Sequence, residues 1–217
     1  LKLNNHALSK DEQKNLIITI AAFHAVGIIG LFLSFTHGLF LQLVPWHLLF
    51  MLALVCGSHR PTTGSLFAFA GIVYVLAFIA EWVGVNTKDI FGNYSYSMVL
   101  GSKIDGVPLI IGVNWFLLVY STGILMRRTR VRSVVTRVIL GALLLVLLDA
   151  FIEPVAVRYD YWHWEHDIIP FKNFASWFLV SAVMLAIFEM FKFKKQSIVA
   201  PVFLATQFLF FIILWIL

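Results

Sequence analysis

Long apolar runs separated by short polar breaks make up nearly the whole chain. They occupy residues 16–36, 40–56, 65–84, 107–126, 134–153, 174–191 and 198–217. A helix needs roughly 20 apolar residues to cross the hydrocarbon core of a bilayer, so the pattern predicts about seven transmembrane helices. The expected fold is all-α, a polytopic helical bundle forming a single integral membrane domain over 1–217, with a polar leader at 1–15. The first run is too long for a signal-peptide core and has no evident small-residue cleavage site, so it reads as a span. No internal repeat, low-complexity tract or linker divides the chain. Two connections, 85–106 and 154–173, are longer than the rest and rich in Gly, Asp, Tyr and Trp. Loops of that length in a compact domain are often functional.

Composition agrees with this pattern. Of the 217 residues, 61% are hydrophobic and 12% charged, whereas a solvated globular chain carries about a quarter charged residues. Most of the surface must therefore meet lipid. The net charge of +5 reads as a basic excess in cytoplasmic loops in contact with anionic lipid, and no nucleic-acid partner is expected. Alternating spans put Lys2, Lys10, Lys14, Arg60, Arg127, Arg128, Arg130, Arg132, Arg137, Lys192, Lys194 and Lys195 on one side. The other side keeps only Lys88, Lys103, Arg158 and Lys172. The asymmetry predicts a cytoplasmic N-terminus and, for an odd number of spans, an outer C-terminus. The single cysteine, Cys56, excludes an intrachain disulfide and any multi-cysteine metal site.

The acids run the other way. Asp11, Glu12 and Glu189 are on the basic side, and the other eight gather toward the opposite face. Glu81 ends an almost unbroken apolar run, and Asp149 and Glu153 in LLLVLLDAFIEP stand four residues apart, on one helical face about one turn from each other. A charged carboxylate in hydrocarbon is costly, so such a group faces a cavity, finds a partner or stays protonated. One alternative is simple pairing with Arg158 or capping of interfacial loops.

Asn114 and Trp115, Asn173, Ser176 and Trp177, and Trp46 and His47 fall at a similar depth and would line one outward pocket. Trp82, Tyr94, Tyr96, Tyr159, Tyr161, Trp162 and Trp164 read equally as an interfacial aromatic belt. Their interleaving with carboxylates and Asn favours a site, because a belt needs no acids. The seven histidines lack the paired spacings of membrane di-iron enzymes, WHWEH is not a complete zinc motif, and no phosphate or dinucleotide loop appears in a suitable context. No metal or cofactor is expected.

The stretches EWVGVNTKDIFGNYSYSMVLGSKIDGVPLIIGVNW and LDAFIEPVAVRYDYWHWEHDIIPFKNFASWFLV, over roughly 81–180, resemble the membrane carotenoid biosynthesis family. That family includes carotenoid 1,2- and 1′,2′-hydratases of the bisanhydrobacterioruberin hydratase type. The resemblance implies a cofactor-independent hydro-lyase in a bacterial or archaeal inner membrane, with lipid around it. Its partners would be water and a carotenoid bearing an acyclic ψ end, such as lycopene or a monocyclic carotene. One of Asp149, Glu153 and Glu81 would protonate C2 and leave a tertiary cation at C1. Trp82, Tyr94, Tyr96, Trp115, Trp162, Trp164 and Trp177 would shield that cation, and a second acid with Asn114 or Asn173 would place the water. A carotenoid cyclase, which shares the protonation step, and a transporter or lipid-binding scaffold using the same acids as a relay are the other readings.

Overall fold

The computed structural model describes residues 7–217; Lys2, counted above with the basic side, lies outside them. Seven α-helices follow one another: α1 (Lys10–Phe32), α2 (His37–Gly57), α3 (Gly64–Thr87), α4 (Ile111–Arg128), α5 (Val134–Arg158), α6 (Phe171–Met190) and α7 (Val199–Ile216). They are 18 to 25 residues long, and a rise of about 1.5 Å per residue carries such lengths across a bilayer core.

Helix α1 begins earlier than hydropathy predicts. The Glu12 amide donates to Ser9 Oγ at 3.1 Å, and the Ser9 amide donates to Glu12 Oε2 at 2.8 Å. This capping box satisfies two orphan donors at the helix start, so the later part of the expected leader is helix. At the other extreme, α3 stops at Lys88, whose φ of 66° breaks the helical path.

Six of the helices are long and apolar enough to cross a membrane. The remaining one, α4, packs against α2, α3, α5, α6 and α7, and every residue from Trp115 to Ile124 is buried. Because α4 meets protein on all sides, it can carry Asn114, Tyr120, Ser121 and Thr122 without exposing them to lipid. Its glycines permit the close approach: a Cβ on Gly112 would lie 2.5 Å from the Tyr74 ring, and one on Gly123 would lie 2.6 Å from Phe188. The outer helices reverse the soluble pattern, with Phe67, Ile72, Val75 and Ile79 of α3 and Leu143 and Leu147 of α5 exposed. The core is apolar and aromatic, built on Phe69, Trp115, Phe116, Tyr120, Phe188 and Phe203.

The two long connections contain short strands that hydropathy does not reveal. Strand β1 (Tyr94–Tyr96) pairs antiparallel with β4 (Trp162–Trp164), placing Tyr94 opposite Trp164 and Tyr96 opposite Trp162. Between them β2 (Lys103–Ile104) and β3 (Val107–Pro108) form a hairpin. Its two turn residues, Asp105 and Gly106, both have positive φ, as a tight hairpin turn requires. Trp46 and His47, placed by sequence near the outer end of the second span, instead lie midway along α2 beside Pro45.

Candidate active site

Each acid occupies the buried stripe of its helix. In α3 the buried residues are Leu66, Phe69, Val73, Ala77, Glu81 and Gly84, a three-and-four spacing that turns one face inward. In α5 the stripe runs through Leu145, Leu148, Asp149, Ile152 and Glu153. The same periodicity that buries leucine therefore buries the carboxyls, which are exposed by 4% (Glu81), 0% (Asp149) and 2% (Glu153). Trp82, the neighbour of Glu81, is rotated out of the stripe, 41% exposed, and donates its indole N–H to Asp105 at 3.1 Å. It does not join the carboxyl cluster.

The β1–β4 ribbon closes this end of the bundle. Side chains alternate along a strand, so Tyr94, Tyr96 and Trp164 turn inward while Ser95 and His163 are exposed. Four aromatic donors reach the acids from this element. The phenols of Tyr94 and Tyr96 donate to Glu81 Oε2 at 2.6 and 2.8 Å, and the indoles of Trp162 and Trp164 donate to Glu153 Oε2 at 3.0 and 2.7 Å. Burial pushes both phenols far above their ordinary pKa, with the Glu81 carboxylate adding to the shift, so they remain O–H donors. Facing rings tie the two halves together: Tyr94 and Trp164 centroids are 5.2 Å apart, and those of Tyr96 and Trp162 are 5.9 Å apart.

Helices α4 and α6 complete the shell. Trp115 donates to Glu81 Oε1 at 2.9 Å and stacks on Trp177 with centroids 4.3 Å apart. Asn173, one turn into α6, donates from Nδ2 to Asp149 Oδ2 at 2.8 Å and to Glu153 Oε1 at 3.0 Å. One amide nitrogen thus bridges two carboxyls that a single helical turn separates. Glu81 and Glu153 each accept three hydrogen bonds, whereas Asp149 Oδ1 is buried without a partner. The ion pairs among the described residues, Arg127–Glu189, Arg137–Glu189 and His163–Asp160, do not include these acids. The Arg158 guanidinium instead donates to the Leu214 carbonyl at 2.8 Å.

Beside this cluster lies a largely apolar cavity of about 350 Å³, bounded by α1, α2, α4, α5, α7 and the ribbon. Asn114, Ile152, Tyr161 and Trp162 line its inner wall, and Trp162 is the same residue that donates to Glu153. The three carboxyls lie behind this wall rather than in it. Phe23, Val26, Leu43 and Trp46 also line the cavity while being 41–68% exposed, so its mouth opens sideways between α1 and α2. The structure brings together Glu81, Asp149, Glu153, Tyr94, Tyr96, Trp115, Trp162, Trp164, Asn173 and Trp177; Asn114 stands on the cavity wall. Sequence reasoning did not assign His24 or Gln207, which also line the cavity; the available signal was a lone polar residue inside an apolar run.

Comparison with known proteins identifies the family. The family model described as "Carotenoid biosynthesis protein" matches residues 37–217, a span that contains every residue of the carboxyl cluster. A bisanhydrobacterioruberin hydratase from Haloarcula japonica is 28% identical over 146 residues, covering 62% of this chain and 50% of that protein. The chain thus spans about half the length of the curated relative that it matches. No solved structure matches it. The chain belongs to the family of carotenoid biosynthesis proteins.

Proposed function

We propose that the protein is a carotenoid hydratase that adds water across the terminal C1=C2 double bond of an acyclic ψ end, by acid protonation and capture of a tertiary cation. The observation that carries this reading is the uneven satisfaction of three buried acids. Glu81 and Glu153 meet hydrogen-bond donors at both oxygens, the arrangement of a group that accepts a proton rather than one that holds it at rest. Asp149 Oδ1 has no partner and is the oxygen left to carry and deliver one.

In this mechanism the ψ end passes the wall formed by Ile152 and Trp162 to reach Asp149, which transfers its proton to C2, and the π electrons leave C1 as a tertiary cation. The faces of Tyr94, Trp115, Trp162 and Trp164 stabilise the cation without a nucleophile that would trap it. Water adds at C1, and the resulting oxonium gives its proton to Glu153. That proton returns to Asp149, which shares the Asn173 amide with Glu153, so each turnover consumes one alkene and one water and yields one tertiary alcohol. Asn114 orients the water from the cavity wall. The name of the Haloarcula japonica relative supports hydration, and the basic excess at the far end supports placing the site in the outer half of a cell membrane. The lateral mouth suits a long polyene arriving from lipid.

The test is to express the chain in a host that accumulates lycopene or a monocyclic carotene and to weigh the pigments. Gain of one water at a ψ end is the expected result. An isomer of unchanged mass would replace hydration by cyclisation, and unaltered pigment with verified expression would sink both.

A further inference from the structure

The end of the bundle far from the three carboxyls is shaped into a basic trough. Two adjoining cavities of about 640 and 480 Å³ share Arg128, Lys194, Lys195 and Gln196 as lining residues, and Arg60 and Ser197 also line the larger one. Buried Gln196 fixes the walls. The Arg60 amide donates to its Oε1 at 2.8 Å, and its Nε2 donates to the Arg60 and Lys194 carbonyls at 2.8 and 3.0 Å. Backbone carbonyls also aim the two guanidinium groups: Arg60 Nη1 donates to Gly57 and His59 at 2.7 and 2.9 Å, and Arg128 Nη1 donates to Gln196 at 2.8 Å. A guanidinium carries five N–H groups, so each keeps donors in hand. Among the described residues no ion pair reaches Arg60, Arg128, Lys194 or Lys195, and no Asp or Glu lines either cavity. Glu12, whose charge Arg60 feels, is engaged by Ser9 in the capping box.

A basic loop that only sets topology needs net charge and no preformed trough. Arg130 and Arg132, exposed in the α4–α5 connection and outside both cavities, fit that role. Four cations converging on one walled space repel one another, and an anion between them relieves that repulsion. The trough lies where α2 ends at Gly57, α4 ends at Arg128 and α7 begins at Val199, the depth at which hydrocarbon gives way to headgroups. Leu8, Pro61, Ile124 and Phe193 set apolar surface beside the cations, which an amphiphile covers and an inorganic ion does not. We propose that the trough is a binding site for the phosphate headgroup of an anionic membrane lipid, held by Arg60, Arg128, Lys194 and Lys195. The site is saturable, one per chain, and stands apart from the reaction at the other end.

Native mass spectrometry of the full chain in detergent counts the bound molecules during titration with phosphatidylglycerol, phosphatidylcholine or inorganic phosphate. One phosphatidylglycerol per chain is expected, held about tenfold or more tightly than either of the others. Lys194 and Lys195 are exposed, so their replacement leaves the fold intact. The double variant Lys194→Gln/Lys195→Gln is expected to weaken phosphatidylglycerol roughly thirtyfold, from the loss of two surface cations. Arg130→Gln/Arg132→Gln removes the same charge outside the trough and is expected to change the affinity by less than about twofold. Equal binding of the two lipids, or equal losses in the two double variants, overturns the site in favour of diffuse surface charge. Inorganic phosphate bound as tightly as phosphatidylglycerol gives the trough to a soluble ion and overturns the lipid assignment.

Discussion

The two ends of the bundle handle their acids in opposite ways. At one end Glu189 sits between two guanidinium groups, 2.8 Å from Arg137 and 3.2 Å from Arg127, and Arg127 also donates to the Phe188 and Phe191 carbonyls at 3.0 Å. There, charge is neutralised by charge, and the product is a clamp joining α4, α5 and α6. At the other end three acids are held by phenols, indoles and one amide. Neutral donors orient a carboxyl without fixing its proton by an ion pair, which suits the proposed proton transfer. Acidity is thus spent on structure at one end and kept available at the other.

Substitutions can break that contrast. Asp149→Asn and Glu153→Gln should each lower turnover by about a thousandfold, in the range of lost general acid–base catalysis, while the protein still extracts as a folded species. Pigment analysis and size-exclusion profiles of the same preparation check both halves, and full activity in both variants would remove the acids from the mechanism. Glu189→Gln should do the reverse. It leaves two partly buried guanidinium groups short of a partner and should destabilise the fold by roughly 2 kcal/mol, read as a lower melting temperature in detergent, with turnover per folded molecule unchanged. Tyr96→Phe and Trp164→Phe each delete one donor to a carboxyl and should slow turnover about tenfold; slowing by only one of them would show which acid is rate-determining. Trp82→Phe, outside the cluster, should change stability by less than about 0.5 kcal/mol and leave the rate alone, and a large loss of activity would place Trp82 in the site after all.

Much of this was legible in the sequence. Apolar runs located every helix, and a four-residue spacing put Asp149 and Glu153 on one face. The belt alternative for the aromatic residues fails at Tyr94, Tyr96, Trp162 and Trp164, whose polar atoms meet carboxyls instead of the interface. The ribbon was not legible, because three-residue strands are too short for a period to emerge, and nothing local tells YSY which distant segment it pairs with. Trp82 stands apart from the carboxyl cluster for a geometric reason: consecutive helical residues point about 100° apart, so Glu81 and Trp82 cannot both face inward. The enclosure of α4 also escaped composition, since a helix surrounded by other helices has no lipid-facing side to reveal it.

The order of synthesis meets the donor pattern in a definite way. Glu81 finds its partners 13, 15 and 34 residues downstream, so it can be satisfied once α4 has docked. Asp149 and Glu153 wait for residues 9 to 24 positions beyond them, and Asn173 arrives only with α6. A chain halted before α6 would hold two carboxyls in the bilayer without their shared amide, which leaves buried polar groups unpaired. The carboxyl cluster is therefore complete only once α6 has docked.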